Sequence, residues 1–259
     1  MKLSVLIENT ACDASLTAEH GLCLLIETGG KRFLLDTGAT GAFAENARKL
    51  GVDLTQVDAV ILSHGHYDHG GGLEAFLQRN TTAPVYVSAY AFGEYYNADG
   101  KYIGLPSHLQ DHPRLIPVTQ TLQLSPNVTV QCGDGKFLHP IEPFGLQMRK
   151  DGCLQPDDFQ HELYLLVREK RRICITGCAH VGVQNILHRF RPEVLVGGFH
   201  FKPLQPSDPR LGLAAQRLLE YPCEYYTGHC TGAEQYAVLK EQLGERLHAL
   251  HTGCAIEIE

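Results

Sequence analysis

Four side chains that bind metal ions well lie within six residues of one another. They are His64, His66, Asp68 and His69, and the glycines Gly70-Gly71-Gly72 follow them directly. Neutral imidazole and carboxylate oxygen are both ligands of zinc and related divalent ions. Side chains at i and i+2 of an extended segment point the same way, so His64 and His66 can share one ion. Asp68 and His69, offset along the turn, would then face a second ion.

The flanking residues indicate how the chain would hold this cluster. Residues 57–62 form an apolar run that is typical of a buried strand, and residues 73–78 are predicted to form a short helix. The cluster would therefore lie on the loop at the end of a strand, where a rigid sheet can aim its side chains. The alternative is a polar surface loop, but such a loop has no simple use for so many ligands followed by packed glycines.

Further ligands are expected later in the chain, because two ions with open positions need roughly three protein ligands each. The candidates are His180, His200 and His229, each of which follows an apolar stretch and has glycine nearby. We expect His180 and His229 to be ligands and His200 to line the substrate site. For each one taken alone, the alternative is a hydrogen-bonded loop histidine.

Length and charge restrict the class of protein. The 259 residues suit one domain, residues 1–259, built from two similar halves. A net charge of −7 without a basic stripe argues against a nucleic-acid partner. We find no signal-peptide pattern and no apolar stretch of 18 residues, so we expect no membrane partner and a cytoplasmic location. Nine cysteines without a C-x-x-C pair fit reduced thiols there. An oligomer is left open.

The order of the predicted elements indicates the fold. Strands, a helix and further strands in the first half are followed by a loosely similar order in the second half. This pattern predicts an α/β (α+β) protein with two sheets packed face to face and helices outside, a four-layer αββα sandwich. Residues 89–114 lack a clear period and are predicted to be a lid or binding loop. Residues 136–158 are also predicted to be a loop, and the segments 248–252 and 255–258 to form a final hairpin.

The histidine motif, with Asp36-Thr37-Gly38 before it and two histidines after it, resembles the metallo-β-lactamase fold superfamily. That resemblance implies the αββα sandwich and two ions at one edge of its sheets. It assigns the ligands to the ions in two sets: His64, His66 and His180 for one, and Asp68, His69 and His229 for the other. It also implies that Asp36 supports the histidine loop from behind.

A narrower resemblance covers nearly the whole chain. Its segments are Glu19–Leu22, Leu62–Leu73, Thr176–His180, Gly197–His200 and Gly228–Gly232. They are similar to the subfamily named for 7,8-dihydropterin-6-methyl-4-(β-D-ribofuranosyl)aminobenzene-5′-phosphate synthase. Within this pattern His20 is expected to have a supporting role under the site.

Two departures from better-known superfamily members bear on activity. Gly198-Phe199-His200 stands where glyoxalase II-like enzymes have a bridging aspartate. No cysteine ligand of the β-lactamase type is expected, because the side chain of Cys230 should point away from the site. Neither glyoxalase II nor β-lactamase activity is therefore expected.

These features predict a hydrolase or a pterin-related transferase with two divalent ions. The expected metal is Zn²⁺, and Mn²⁺ and Fe²⁺ are the alternatives. Such ions lower the pKa of a bound water, and Asp68 would orient the nucleophile or accept its proton. The substrate is expected to be a small phosphorylated or pterin-like molecule that contacts Tyr95 and Tyr96. His200 is expected to contact it as well and to act in catalysis by donating to it. The alternatives are a non-catalytic, redox or sensor protein that keeps the metal site, and a phosphodiesterase or nuclease.

Overall fold

A computed structural model of the protein describes residues 1–133 and 135–259. The strands are β1 (Lys2–Ile7), β2 (Cys23–Thr28), β3 (Lys31–Leu35), β4 (Ala59–Ile61), β5 (Val85–Ser88), β6 (Glu94–Tyr96), β7 (Leu115–Val118), β8 (Leu122–Ser125), β9 (Val128–Cys132), β10 (Gln147–Lys150), β11 (Cys153–Pro156), β12 (Leu163–Arg168), β13 (Arg172–Ile175), β14 (Val194–Val196), β15 (Glu224–Thr227), β16 (Leu247–Ala249) and β17 (Ala255–Glu257). The α-helices are α1 (Ala42–Lys49), α2 (Tyr67–Gly70), α3 (Leu73–Arg79), α4 (Val183–Phe190), α5 (Pro209–Leu219) and α6 (Ala233–Leu243).

The first large sheet has the strand order β17-β1-β2-β3-β4-β5-β7. Its inner strand β2 shows how both faces are covered. Leu24 and Ile26 pack in the core shared with the second sheet, whereas Leu25 packs in the core that contains Phe43 of α1 and Phe76 of α3. Successive side chains of a strand point to opposite faces, so this apolar run requires a layer on each side.

The second large sheet, β16-β15-β14-β13-β12-β9-β8, repeats this arrangement. On β13, Ile173 and Ile175 join the core between the sheets. Cys174 faces the other way, into the core that contains Ile186 of α4 and Leu218 of α5. The order of layers is therefore helices, sheet, sheet, helices. The predicted αββα sandwich is confirmed.

Two local predictions are wrong. Segments 248–252 and 255–258 do not form a hairpin, because β16 pairs with β15 in the second sheet and β17 with β1 in the first. The chain crosses between the sheets at this point. Residues 136–158 are not only loop: β10 and β11 pair there, and β6 completes a three-stranded sheet. Strands β10 and β11 are largely exposed and have no apolar face, so the hydrophobic periodicity of the sequence does not predict them.

Within the described residues, no helix is both long and apolar enough to cross a membrane. The longest, α5 and α6, have 11 residues each, whereas a membrane span takes about 20.

Candidate metal centre

The predicted ligands meet at one edge of the two large sheets. β4 leads into the histidine loop, β13 leads toward His180, and β15 leads directly to His229. Each of these strands is parallel to a neighbour, so their carboxyl ends lie at the same edge. Gly177 lets the two halves approach closely, because a Cβ atom there would lie only 2.9 Å from His64 Nδ1. The edge is thus an assembly point for side chains that are distant in sequence.

His64, His66 and His180 form a first buried group. One ring nitrogen of each lies within 4.8 Å of the others, and His180 Nε2 is 3.4 Å from His64 Nε2. Nε2 of His66 is buried and has no hydrogen-bond partner. Burial lowers the pKa of all three rings well below the usual value, and nearby histidines lower it further. The rings are therefore neutral, which is the form that binds metal.

Asp68, His69 and His229 form a second group beside the first. His229 Nε2 is 3.1 Å from His69 Nε2 and 3.2 Å from Asp68 Oδ2. Burial by itself raises the pKa of Asp68, but His69 and His229 lower it well below the usual value, so the carboxylate is charged. Burial by itself lowers the pKa of His69, but the Asp36 and Asp68 carboxylates raise it to about 9. The surroundings of His69 therefore favour positive charge.

The spacing within both groups fits metal ions. With bonds of about 2.0–2.3 Å, two ligand atoms on one tetrahedral zinc lie roughly 3.3–3.8 Å apart. In the first group the donor atoms of His64 and His180 are 3.4 Å apart and all three donors lie within 4.8 Å of one another. In the second group the distances are 3.1, 3.2 and 3.8 Å, close to the tetrahedral range. The rings of His64 and His69 have centroids 4.1 Å apart, so the two groups adjoin. Buried imidazole and carboxylate donors are chemically suited to Zn²⁺.

Asp36 holds the histidine loop in place. Its Oδ1 accepts from the backbone N–H of Ser63 at 2.6 Å, and its Oδ2 accepts from Ser63 Oγ at 2.7 Å. The same Oδ2 lies 2.6 Å from His69 Nδ1. A proton on Nδ1 leaves Nε2 of His69 free as a ligand atom. Asp36 is fully buried and has a positive φ of 63°, an uncommon conformation for a residue with a side chain.

The segment after β1 holds His229 in a similar way, and sequence reasoning gave it no role in the site. His229 Nδ1 lies 2.9 Å from Asn9 Oδ1, and Asn9 Nδ2 donates to the His229 carbonyl at 3.2 Å. The buried Glu8 accepts from the His229 backbone N–H at 2.5 Å. Both residues stand near His20 in sequence, but no local pattern indicates a contact across more than 200 residues.

Asn9→Ala is expected to weaken metal binding by about 10–100-fold, because His229 would lose the partner that fixes its ring and tautomer. Titration of the metal-free protein with Zn²⁺ in the presence of a competing chelator measures this change. Asn127→Ala, in the turn between β8 and β9, is the matched control and should bind metal like the wild type. Unchanged affinity in Asn9→Ala would mean that Asn9 does not orient the ligand.

His161 and Glu162 are further residues of the site that sequence reasoning did not assign. His161 Nδ1 accepts from the backbone N–H of Gly65 at 2.9 Å, and its ring centroid lies 5.1 Å from that of His66. The buried Glu162 accepts from the His180 backbone N–H at 2.7 Å. These two polar residues directly precede β12. His161 supports the first group on the side of His66, and Glu162 supports it on the side of His180. Only the tertiary structure reveals this role.

His20 and His200 both lie beside the ligand groups. His20 Nε2 is 3.5 Å from Asp68 Oδ2, and its ring is 4.7 Å from that of His229. It is exposed, so it stands at the rim of the second group. The ring of His200 lies 4.2 Å from that of His180, and its Nδ1 has no hydrogen-bond partner. Like His229, His200 has a left-handed backbone, with a φ of 52°.

The two tyrosines expected at the substrate are held by other contacts. Tyr95 is buried and donates to the Tyr90 carbonyl at 2.5 Å, with its ring 4.1 Å from that of His161. Tyr96 donates to Glu94 at 2.9 Å. Neither tyrosine lines the cleft beside His200. Tyr95 packs behind the first group, where its ring lies 5.7 Å from that of His66.

A cleft of about 270 Å³ opens beside the first group. His180 and His200 line it on the metal side, and Phe144 and Leu213 supply apolar surface. Arg217 also lines the cleft; it donates to Gln184 at 2.8 Å and forms no ion pair within the described residues. The cleft therefore combines apolar walls with a cationic side chain next to the first group of histidines.

The expectation that Cys230 points away from the site is wrong. Its Sγ lies within 4.8 Å of the ligand atoms of Cys178 and His229. That expectation assumed an extended chain, in which successive side chains point in opposite directions. Instead His229 has a positive φ of 51°, and residues 229–231 form a 3₁₀ turn. The turn brings neighbouring side chains to the same side.

The metal-free protein is expected to lose stability as the pH falls from 7 to 5. The neutral histidines of the first group, and His20 with a pKa lowered to about 4, take up protons at lower pH than in the unfolded chain. The unfolded state then binds more protons, so the free energy of unfolding decreases by roughly 2 kcal/mol for each buried histidine of the first group that stays neutral. The contribution of the exposed His20 is smaller, because solvent screens it. His69 acts in the opposite direction between pH 7 and about 6, because its raised pKa keeps it protonated in the folded state while the unfolded chain is still taking up a proton, so it offsets part of this loss.

Urea unfolding at pH 7 and pH 5 after dialysis against a chelator measures this effect. His66→Ala should show a shallower dependence on pH, because one buried neutral ring is removed. A wild-type free energy of unfolding that is equal at the two pH values would contradict the prediction.

An αββα sandwich with this ligand cluster at its sheet edge defines a metal-dependent hydrolase. Residues 16–190 match the family model of the Metallo-beta-lactamase superfamily, and the chain belongs to that superfamily. The solved structure of Tm1679, a metal-dependent hydrolase of the beta-lactamase superfamily, is similar over 100% of this chain and 99% of that one. Its TM-score is 0.81 and its identity 26%.

Two curated proteins extend the comparison. The 7,8-dihydropterin-6-methyl-4-(beta-D-ribofuranosyl)-aminobenzene-5′-phosphate synthase of Methanocaldococcus jannaschii is 24% identical, over 99% of this chain and 96% of its own. The anti-Pycsar protein Apyc1 of Saccharibacillus brassicae is 42% identical over 181 residues, which are 65% of this chain and 69% of that protein.

Proposed function

We propose that the protein is a hydrolase that uses two divalent metal ions to cleave a small phosphorylated substrate, with Zn²⁺ as the expected metal. The observation that carries this proposal is the presence of two adjoining groups of imidazole and carboxylate donors, one within 4.8 Å and the other with distances of 3.1 to 3.8 Å. His64, His66 and His180 would hold one ion, and Asp68, His69 and His229 the other. When bound, such a pair supplies a nucleophile at neutral pH and stabilises negative charge on the reacting group.

The protein's own residues do the remaining work. Asp68 is charged and can accept a hydrogen bond from the attacking water, which orients it. His200 borders both the first group and the cleft, so its imidazole ring is placed to hydrogen-bond to the substrate. Arg217 places a positive charge in the cleft, where it favours an anionic substituent. The apolar walls would exclude water from the rest of the substrate.

A panel of phosphodiester, lactone and pterin substrates tests the proposal, with the zinc-loaded protein and its His66→Ala variant compared throughout. We expect turnover of a phosphodiester that His66→Ala abolishes. Elemental analysis should give two ions per chain. Turnover that survives His66→Ala, or fewer than one ion per chain with all six ligands intact, would contradict the proposal.

A pterin-related transfer is the second candidate function. It is favoured by the similarity to the synthase along almost the entire chain. The same ligand groups would serve, but an aminobenzene ring would displace diphosphate from a pterin. Formation of a carbon–nitrogen-linked product from the two substrates, with release of diphosphate and without hydrolysis of the phosphodiesters, would favour this candidate over the first.

A further inference from the structure

The sulfur of Cys178 lies between the two ligand groups. It is 3.2 Å from His69 Nε2 of the second group, and the residue is only 3% exposed. It also lies within 4.8 Å of the ligand atoms of His64 and His180 of the first group, and of His229. A single sulfur atom thus approaches donors that belong to both proposed ions.

The chemistry of the donors shows what a sulfur atom would add at this position. The six proposed ligands are five imidazoles and one carboxylate, Asp68, so this set contains no sulfur. A thiolate is a strong ligand of zinc, and the Cys178 sulfur is placed beside donors of both groups.

The local backbone orients the sulfur toward the site. Ala179, between Cys178 and His180, has a positive φ of 54°, so the chain turns sharply at this point. Cys230 Sγ lies 3.6 Å from the Cys178 carbonyl and can donate to it. A side chain at Gly198 would collide with Cys230, so the neighbouring loop is also fitted around this pair.

We propose that Cys178 binds the metal pair as a thiolate, as a seventh ligand placed between the two groups. This inference rests on the ligand set of the proposed function. On binding, the S–H bond breaks, its electron pair forms the metal–sulfur bond, and the proton passes to solvent. Sulfur is a soft donor, so the site would prefer Zn²⁺ or Co²⁺ to Mn²⁺.

Cobalt substitution tests the proposal in a spectrum rather than in an activity. The metal-free wild type and its Cys178→Ala variant are each loaded with Co²⁺, and thiolate-to-cobalt charge-transfer absorption is recorded in the near ultraviolet. We expect the band in the wild type and its loss in Cys178→Ala. Cys174→Ala, a buried cysteine on β13, is the matched control and should keep the band. Cys230→Ala should keep it as well.

X-ray absorption at the zinc edge of the wild-type protein gives a second test that needs no variant. We expect a sulfur scatterer at about 2.3 Å. A metal-loaded protein with only nitrogen and oxygen scatterers would overturn this inference and leave the proposed function intact. A band that persists in Cys178→Ala, or that disappears only in Cys230→Ala, would also overturn it. A wild type that binds no metal would overturn both proposals.

Discussion

His180→Ala is expected to lower kcat/KM for any hydrolysed substrate by about 1000-fold or more, because the first group would lose one of three ligands. His180 is the proposed ligand of this group that comes from the second half of the chain, and its Nε2 lies 3.4 Å from His64 Nε2. Steady-state kinetics with the best substrate of the panel, together with metal content, measure the effect. We expect the bound metal to fall from two ions per chain toward one.

The control for this change is His188→Ala, an exposed histidine on the nearby helix α4. It removes the same side chain without touching the ligand groups, so activity and metal content should match the wild type. Equal losses in both variants would attribute the effect to the helix rather than to the site. Full activity in His180→Ala would exclude His180 as a ligand.

Asp36→Asn is the second change with a large expected effect. The carboxylate accepts from the N–H and Oγ of Ser63 and pairs with His69, all in a fully buried position. An amide of equal size has only one accepting oxygen and turns an NH₂ group toward one of these donors. We expect a loss of about 2–4 kcal/mol in the free energy of unfolding and about 10–100-fold in metal affinity.

Denaturant unfolding and zinc titration of the same preparation separate the two parts of this prediction. Asp99→Asn, on an exposed turn, is the matched control, and both of its values should stay within error of the wild type. If Asp36→Asn lost stability but bound zinc normally, Asp36 would support the fold and not the ligands.

The positions of the main proposed ligands were accessible to sequence reasoning because each has a local signal. His64 and His66 form a dense motif after an apolar strand, and His180 and His229 each follow a strand and stand close to glycine. Strand ends of parallel sheets meet at one edge, so the convergence of these residues follows from the fold class alone. The αββα layers were similarly visible, since fully buried strands read as continuous apolar runs.

The supporting residues could not be predicted in this way. Asn9 contacts His229 across 220 positions, and His161 contacts Gly65 across 96. Such contacts leave no periodic trace in the sequence. Cys230 was misplaced because side-chain direction depends on the backbone conformation of His229, which is left-handed. The exposed strands β10 and β11 were missed because they bury no apolar face. The proposed ligand assignment and the two-half domain organisation stay predictions.

The way in which the segment after β1 holds His229 has a consequence for synthesis of the protein. Glu8 and Asn9 leave the ribosome about 220 residues before His229, which they position. β1 likewise precedes its partner β17, whose first residue is number 255. The second ligand group therefore cannot form before His229 has been synthesised. A nascent chain that met zinc earlier would lack this group, so complete metal loading is expected only after His229 has left the ribosome.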